Sequence, residues 1–504
     1  MEQRGPEPSG RSKEPGRPER VTRATVTDHR GPGGTIALVT IGNDEDKPTT
    51  LGPKGLTGLG EVLRDQRERV ARGEVQAVAV TGRAGHFCAG ADVHQIVAAA
   101  QDAAAHMARL GHDTLRLLGE LGAPTFAFIG GPALGGGLEL ALHADHRGVA
   151  AGVRGLDLPG AMLGLVPGWG GCYLLPRLVG VAEACRAIVD RPLGGNRLLD
   201  AYAALEVGLV DVVLPTDDLV EASLAWAHDV LTGRVTVRRR PLDDAATWQT
   251  EVAAARERVD RRIHGAAPAP YRTLGLVAAA RDARRTAAFE AEAVALAELA
   301  ATPQVRHGVY ALDLTTRRSR RPTGAPDPGL AREVRAVGMV GAGLMAAQLA
   351  VLVVGRSGVP VRMREVDDER AAAGRDRVAS LLERQVRRGR MTATAAAAVR
   401  RAVVVGTDLA DLADADLVIE AVTESIEVKR AVFAELETVV KPQAVLTTNP
   451  SALSVGAIAD GLTHPERVLG LHFFNPVDTL RLVEVVRAEH TDDASVATVL
   501  AVAG

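Results

Sequence analysis

Hydrophobic residues occur in short runs along the first half of the chain, and longer stretches with a helical pattern separate these runs. Apolar runs occupy residues 36–40, 77–81 and 124–129, whereas residues 56–64 and 96–118 have the helical pattern. Runs of this length with helices between them are typical of buried strands in β/α units. The pattern predicts an α/β domain that ends near residue 231.

A second series of the same kind lies near the end of the chain. Residues 335–340 form an apolar run, residues 344–353 have a helical pattern, and residues 359–363 form the next apolar run. A glycine turn separates the first run from the helix, which is the order found in a doubly wound parallel sheet of the Rossmann type. We expect this second α/β domain to span residues 331–504.

The region between the two series is charged and helical in pattern. Residues 286–301 are rich in Ala and Glu and contain almost no helix breakers. The region ends in the segment RRSRRPTGAPDPG, a composition typical of a solvated linker. We therefore expect a first domain at 34–231 and a helical extension and linker at 232–330.

Composition and charge exclude several classes of protein. The chain has 504 residues, which is too many for one hydrophobic core, and 46% of them are hydrophobic, as in ordinary globular proteins. The net charge of −3 gives no reason to expect a nucleic acid or an anionic membrane as partner. No apolar run approaches the roughly 20 residues that a transmembrane helix needs. We expect no transmembrane segment.

The cysteines and the first residues of the chain bear on its location. Cys88, Cys172 and Cys185 have no metal-ligand spacing, so we expect no metal, and their small number suits a reducing cytoplasm. Residues 1–33 are rich in Arg, Pro, Gly and Glu and lack the apolar core of a signal peptide. We expect this segment to be a disordered tail.

Two glycine-containing segments follow apolar runs in the first domain. The segment HFCAGAD covers residues 86–92, and GPALGGGLEL covers residues 131–140. Consecutive glycines let the backbone approach a ligand closely and leave the N–H groups of a following helix exposed. Such groups can stabilise negative charge on a carbonyl oxygen. Each segment alone could equally be a tight turn.

Together and in this order, the two segments resemble the crotonase (enoyl-CoA hydratase/isomerase) family. The segments GTIALVTI at 34–41 and LGLVPGWGG at 163–171 extend the resemblance to about residue 231. It implies a β/α spiral fold that binds acyl-CoA thioesters. It also implies that the backbone amides of Ala91 and Gly136 form an oxyanion hole for the thioester carbonyl, and that Glu139 is a catalytic acid–base group.

The second glutamate that the hydratases of this family use is absent. The family places it in a Pro-Glu dipeptide, and here that position is Gly160. Hydration of a double bond needs one group to activate water and another to deliver a proton. Asp157, three residues away, would project to the opposite face of an extended segment. We expect weakened hydratase activity, and a crotonase that uses Glu139 alone, such as an isomerase, is an open alternative.

A dinucleotide-binding pattern opens the second domain. The G-x-G-x-x-A positions of VGMVGAGLMAAQLA are Gly341, Gly343 and Ala346. The N-terminus of the following helix would hold a pyrophosphate. Glu365 is placed to accept a hydrogen bond from the ribose 2′-hydroxyl, with Asp367 as the alternative. Because a carboxylate there would repel the 2′-phosphate of NADP, we expect NAD as the cofactor.

Three later segments resemble the 3-hydroxyacyl-CoA dehydrogenase family in order and spacing. They are DLVIEAVTES at 416–425, TTNPSALSV at 447–455 and GLHFFNPVDTLRLVEVV at 470–486. The resemblance implies that His472 and Glu484 are the catalytic pair. The imidazole would take the proton of the 3-hydroxyl group while the carboxylate holds the imidazole in one tautomer.

The same resemblance implies binding roles for four further residues. Ser451 would contact the substrate, Asn475 would lie near cofactor and substrate, and Glu420 and Lys429 would line the nicotinamide side. The segment NPSA at 449–452 replaces the usual Asn-Thr-Ser-Ser and lacks two of its hydroxyl groups. Family members continue with a helical domain that closes over the acyl chain, so we expect a fragment or truncated product with weakened dehydrogenase activity.

The whole chain resembles the multifunctional α-subunit of a fatty-acid β-oxidation complex. The segments DKPTTLGPKGL and LVPGWGGCYLLPRLVG are similar to the actinobacterial form. The resemblance implies a cytoplasmic enoyl-CoA hydratase and NAD-dependent 3-hydroxyacyl-CoA dehydrogenase, with acyl-CoA substrates, an oligomeric state and a thiolase β-subunit as candidate partner. The alternative of another class is a non-catalytic subunit or pseudoenzyme that binds acyl-CoA or NAD and serves assembly. Gly160 and the missing helical domain favour this alternative, whereas Glu139 and the pair of His472 and Glu484 oppose it.

Overall fold

The computed structural model describes residues 19–43, 48–98, 101–318, 322–387, 391–477, 480 and 482–504. The chain divides after residue 315 into two compact units. Residues 1–18 of the predicted tail and residues 319–321 of the predicted linker lie outside the described residues.

The first unit contains a six-stranded sheet and a small three-stranded sheet. Its strands are β1 (Arg23–Gly31), β2 (Gly34–Gly42), β3 (Ala77–Gly82), β4 (Thr125–Ile129), β5 (Ala133–Leu134), β6 (His146–Ala150), β7 (Arg154–Asp157), β8 (Leu199–Asp200) and β9 (Val212–Leu214). The large sheet has the order β1-β2-β3-β4-β6-β9, and β5-β7-β8 form the small one. All neighbours in the large sheet are parallel except β1 and β2. The predicted strands at 36–40, 77–81 and 124–129 are confirmed.

Helices form most of the connections between these strands and continue beyond the last strand. They are α1 (Pro53–Ala71), α2 (Val93–Ala98), α3 (Gln101–Leu115), α4 (Gly136–Leu142), α5 (Gly171–Val179), α6 (Val181–Cys185), α7 (Arg191–Leu193), α8 (Ala201–Glu206), α9 (Leu219–Leu231), α10 (Ala245–Ile263), α11 (Pro268–Ala280), α12 (Arg285–Ala300) and α13 (Pro303–Asp313). The side chains of Trp248, Leu274 and Leu296, from α10 to α12, are buried in the same cluster as Val78 of β3. The predicted helical extension therefore shares its core with the preceding β/α region. The predicted domain limits at residues 231 and 330 remain predictions.

The expectation of a disordered tail through residue 33 is wrong for its last part. Strand β1 pairs antiparallel with β2, with Arg23 opposite Gly42 and Gly31 opposite Gly34. Alternate residues of β1 are partly buried, and Ala24 and Val26 pack against the core. Only one face of β1 is covered, so the strand needs few apolar residues, and its sequence is otherwise polar.

The second unit is a seven-stranded sheet with helices on both faces. Its strands are β10 (Val337–Val340), β11 (Val361–Arg364), β12 (Val403–Gly406), β13 (Leu417–Glu420), β14 (Val445–Thr448), β15 (Val468–Phe473) and β16 (Val483–Val486). Its helices are α14 (Leu344–Ser357), α15 (Asp368–Arg387), α16 (Ala393–Ala402), α17 (Ile426–Val439), α18 (Val455–Ala459) and α19 (Asp493–Ala503).

The strand order of this sheet is β12-β11-β10-β13-β14-β15-β16. The first six strands are parallel and β16 is antiparallel to β15. The order reverses at β10, which is the switch point where open parallel sheets bind ligands. The predicted doubly wound parallel sheet is confirmed. In the described part of the chain, no helix combines the length and the apolar character that crossing a membrane requires.

Candidate functional site

The two glycine segments of the first unit meet at the carboxyl ends of neighbouring strands β3 and β4. Cys88 and Ala133 form a parallel bridge between them, and the Leu134 N–H donates to the Cys88 carbonyl at 3.0 Å. Gly90 has a φ of 95°, and a Cβ added to it would lie 2.5 Å from the Leu134 carbonyl oxygen. Only glycine fits this close crossing of two backbones.

The crossing places two backbone amides side by side. A Cβ added to Gly136 would lie 3.3 Å from the nitrogen of Ala91, so the two predicted oxyanion residues are neighbours. Gly136 is the first residue of α4. Within the described residues, neither amide donates a hydrogen bond to a protein acceptor. A carbonyl oxygen placed between them could accept from both.

Glu139 lies in the first turn of α4, three residues after Gly136, and its side chain is 2% exposed. Its Oε1 accepts hydrogen bonds from the N–H groups of Trp169 (2.7 Å) and Gly171 (2.9 Å). Burial raises the pKa of Glu139 to about 7, although the backbone N–H groups oppose this rise. A carboxyl group with such a pKa can take or give a proton at neutral pH, as a general acid or base must.

Asp157 does not replace the missing glutamate. Its buried carboxylate accepts from Arg191 Nε at 2.7 Å and from the Leu158 N–H at 3.0 Å. Its backbone carbonyl accepts from the Gly135 N–H, so Asp157 supports the glycine turn from behind. Gly160 itself lies in a short 3-10 helix, and its carbonyl accepts from the Leu165 N–H.

Glu292 is a buried acid that sequence reasoning missed. It lies on α12 with 1% of its surface exposed, and it accepts from the N–H groups of Gly170 (2.6 Å) and Tyr173 (3.1 Å). The same turn therefore binds Glu292 and Glu139. The signal in the sequence was spacing, because Glu292 falls on the same helical face as the buried Phe289 and Leu296.

The glycine turn of the second unit has the geometry of a dinucleotide site. Gly341 has a φ of 98°, and a Cβ added to it would lie 2.7 Å from the Ala421 carbonyl oxygen. Gly343 is the N-cap residue of α14, and a Cβ added there would meet no atom within 4 Å. Ala346 is buried one turn into the helix. The turn leaves open space at a helix N-terminus, where a pyrophosphate fits.

Glu365 and Asp367, the two acids considered for binding the ribose, have different contacts. Glu365 follows β11, and its Oε1 accepts from the Ala342 N–H of the glycine turn at 2.5 Å. The carboxylate of Asp367 instead accepts from the Arg370 N–H in the first turn of α15, as a helix cap. Glu365 is therefore the acid that faces the turn.

His472 and Glu484 lie opposite each other on β15 and β16. Nδ1 of His472 is 2.8 Å from Oε2 of Glu484. The imidazole ring is largely covered, whereas 52% of the Glu484 side chain is exposed. A carboxylate can only accept, so Nδ1 is the donor, and in the neutral imidazole Nε2 is then the nitrogen that can accept a proton.

The remaining predicted residues fall into two sets. Ser451 and Asn475 are exposed, and the Ser451 N–H donates to Glu424 Oε1 at 2.8 Å. Glu420 and Lys429 are fully buried, and both Glu420 oxygens lie 2.8 Å from the Lys429 Nζ. Glu420 ends the strand next to the glycine turn, but its side-chain partners are protein groups. The binding roles of these four residues remain predictions.

Two family models match the chain. Residues 32–264 match the enoyl-CoA hydratase/isomerase model, and residues 336–504 match the model of the 3-hydroxyacyl-CoA dehydrogenase NAD binding domain. The chain therefore combines an enoyl-CoA hydratase/isomerase domain with a 3-hydroxyacyl-CoA dehydrogenase NAD-binding domain. The predicted crotonase-like and Rossmann-type fold classes and the predicted NAD cofactor are confirmed.

The curated relatives of the chain include proteins named as the α-subunit of a fatty acid oxidation complex. The chain is 34% identical over 443 residues to the fatty acid oxidation complex subunit alpha of Pseudomonas putida, which covers 86% of this chain and 61% of that protein. It is 33% identical to the protein of the same name from Ectopseudomonas oleovorans, with the same coverage. The chain thus spans about three fifths of the length of these relatives.

A solved structure is similar in sequence to part of the chain. The 3-hydroxybutyryl-CoA dehydrogenase from Escherichia coli is 38% identical over 34% of this chain and 37% of that chain, with a TM-score of 0.33.

Proposed function

We propose that this chain is a fatty-acid β-oxidation protein with enoyl-CoA hydratase chemistry in its first unit and NAD-dependent 3-hydroxyacyl-CoA oxidation in its second. The observation that carries the proposal is the pair of neighbouring amides at Ala91 and Gly136, which donate to no protein acceptor in the described part of the chain, with Glu139 one helical turn after Gly136. The relatives named as α-subunits of the fatty acid oxidation complex support the combination.

In the first unit, the thioester carbonyl of an acyl-CoA would accept hydrogen bonds from the Ala91 and Gly136 amides. These bonds become stronger as negative charge develops on the oxygen, which lowers the barrier to forming an enolate by several kcal/mol in comparable sites. Glu139 would move a proton at the reacting carbon. With glycine at position 160, hydration has one acid–base group fewer and should be slow.

In the second unit, the residues present fit a dinucleotide. Gly341 has no room for a side chain, Gly343 faces open space at the α14 N-terminus, and Glu365 faces the turn. NAD held by these residues would supply the hydride acceptor for oxidation at C3 of the substrate. His472 Nε2 would take the proton of the 3-hydroxyl group, and Glu484 would stabilise the resulting imidazolium.

Titration and turnover assays test the proposal. We expect the purified chain to bind acetoacetyl-CoA and NADH, to hydrate crotonyl-CoA slowly, and to lose that hydration in Glu139→Gln. Glu61→Gln, on the exposed face of α1, is the control. A chain that binds neither CoA esters nor NADH would contradict the proposal.

The partner and the location follow as finer proposals. The relatives are named as subunits of a complex, and we propose that this chain binds a thiolase-type β-subunit in the cytoplasm. The three cysteines support a reducing compartment, because all are free and buried. Co-purification of a tagged chain with a thiolase of the same cell tests the partner. The non-catalytic and isomerase alternatives are not favoured by the family matches.

A further inference from the structure

The turn at residues 168–173 is held from two sides by buried carboxyl groups. Glu139 accepts from the N–H groups of Trp169 and Gly171. Glu292 accepts from the N–H groups of Gly170 and Tyr173. The amides of one turn are thus divided between an acid of the glycine-rich helix α4 and an acid of α12.

Two negative charges on this turn would be poorly compensated. Both side chains are at most 2% exposed. Within the described residues, neither carboxyl group forms an ion pair with Lys, Arg or His. Like charges that share a buried site cannot both ionise over the same pH range, so one of the two groups keeps its proton while the other loses it.

The groups around Glu139 and Glu292 supply no charge that would let both carboxyl groups ionise near neutral pH. The titratable and charged groups on α12 and on the segments that contact it include His112 of α3, Glu139 and His143 of α4 and its C-cap, Cys172, Tyr173 and Arg177 of α5, Arg272 of α11, and Arg285, Glu290 and Glu298 of α12 itself. Burial lowers the pKa of His112 and of His143 to about 3, so both are neutral. Burial raises the pKa of the Cys172 thiol well above its ordinary value.

The arginine side chains of this set have other partners. Arg285 donates to Nδ1 of His143, whose Nε2 then donates to the Trp169 carbonyl at 2.9 Å. Arg177 donates to backbone carbonyls of Ala280 and Arg281. Arg272 pairs with Glu298 on the exposed side of α12. Glu139 and Glu292 are therefore left to share the turn between them.

We propose that Glu292 is a positioning residue for Glu139: in its protonated form it holds the 168–173 turn from the side opposite Glu139, and it leaves the single negative charge of the pair on Glu139. This inference rests on the proposed acyl-CoA chemistry of the first unit. Burial and the neighbouring Glu139 charge both raise the pKa of Glu292, in agreement with the assignment of the proton. When Glu292 ionises at alkaline pH, a second anion on the turn disturbs Glu139.

The effect of Glu292 on Glu139 can be measured with a reaction that needs only Glu139 and the amides of Ala91 and Gly136. In deuterated water, Glu139 takes the α-proton of butyryl-CoA, the electron pair of the broken C–H bond moves to the thioester enolate, and a deuteron returns to the same carbon. NMR follows this exchange against pH. Glu292→Gln has the same shape and cannot ionise, Glu292→Ala removes the acceptor, and Glu290→Gln is an exposed control on the same helix.

We expect the wild-type exchange rate to fall at alkaline pH and the Glu292→Gln rate to persist there. Glu292→Ala should lower kcat at every pH with little change in KM, because the thioester contacts Ala91 and Gly136. Glu290→Gln should match the wild type. An alkaline fall that is the same in Glu292→Gln and in the wild type would overturn the proposal.

Difference infrared spectroscopy detects the proton on Glu292 directly and does not depend on acyl-CoA chemistry. At pH 8 we expect a buried carboxylic-acid C=O band that Glu292→Gln removes and Glu290→Gln keeps. In Glu139→Gln, that band should disappear at least about one pH unit lower than in the wild type, because a neighbouring anion has been removed. A band that survives Glu292→Gln overturns the proposal. If the position 292 variants fail to fold, an unchanged midpoint in Glu139→Gln overturns it. Absence of exchange with these infrared results intact would contradict the proposed function alone.

Discussion

The imidazole of His472 and the carboxylate of Glu484 face each other across the antiparallel pair of β15 and β16, with Nδ1 2.8 Å from Oε2. They are twelve positions apart in the sequence, and the register of the two strands brings them together. The Phe474 ring lies 4.6 Å from the imidazole, measured between ring centres. The pairing leaves Nε2 of His472 as the nitrogen that can accept a proton from a substrate hydroxyl.

Glu484→Gln is expected to reduce NAD-dependent oxidation of 3-hydroxybutyryl-CoA by roughly 10²–10⁴-fold relative to the unmodified chain, as loss of a group that orients a general base does. The amide keeps the size of the side chain but cannot stabilise the imidazolium. The affinity for NADH should not change, because the dinucleotide turn is at β10. Stopped assays of NADH formation measure the ratio, with the exposed Glu489→Gln as control. Equal rates in Glu484→Gln and the unmodified chain would remove Glu484 from the mechanism.

Glu365 should set the choice of dinucleotide. We expect NADH to bind at least about tenfold more tightly than NADPH, since a phosphate beside a carboxylate should cost more than about 1.4 kcal/mol. Glu365→Gln should narrow this difference, whereas Glu369→Gln, exposed in the first turn of α15, should not. Calorimetric titrations with NADH and with NADPH measure this difference in affinity for each variant. Equal affinities for NADH and NADPH in the wild type would contradict the role of Glu365.

Gly160→Glu should raise the rate of crotonyl-CoA hydration by about two orders of magnitude, because it adds a second proton-transfer group. A Cβ at this position would lie 3.2 Å from the Leu165 carbonyl oxygen, so the backbone must give way slightly. Gly160→Ala carries the same Cβ without the carboxylate and measures the effect of this contact alone. Turnover at saturating crotonyl-CoA is the measurement. A wild-type rate that already equals that of Gly160→Glu would mean that another acid supplies the proton.

The stability of the first unit should depend on the ionisation of Glu139. Burial raises its pKa from 4.5 to about 7, so between these values the folded chain holds a proton that the unfolded chain has lost. The free energy of unfolding should therefore fall as pH rises through this window, by about 3 kcal/mol for this group, and change no further above it. Glu139→Gln should remove this part of the pH dependence.

Urea unfolding followed by tryptophan fluorescence measures this difference. Trp169, Trp226 and Trp248 all belong to the first unit, so the signal reports that unit alone. The wild-type free energy minus that of Glu139→Gln should decrease from pH 4.5 to pH 7, while Glu61→Gln gives a constant difference. A constant difference for Glu139→Gln as well would show that the Glu139 carboxyl has an ordinary pKa.

Local patterns in the sequence were sufficient to predict the features that depend only on residues close together in the chain. The apolar runs that became β2, β3 and β4, the Gly341 turn and the order of the second sheet all follow from strand length, turn chemistry and helix position. The consecutive glycines also predicted a helix that begins with exposed N–H groups, and α4 begins at Gly136, whereas the pairing of Gly136 with Ala91 was implied only by the family resemblance. The tail prediction was wrong for β1, because that strand depends on a partner, β2, more than on its own composition.

The sequence by itself predicted which residues would carry the chemistry, and the tertiary structure decided how deeply they are buried and which groups they contact. No local pattern shows that Glu292 shares a turn with Glu139, that Arg191 takes the Asp157 carboxylate, or that Glu365 rather than Asp367 faces the glycine turn. These relations depend on burial and on contacts between segments far apart in the chain. A carboxyl group acquires a pKa near neutrality only when the fold removes water from around it, and that removal is a property of the packed structure.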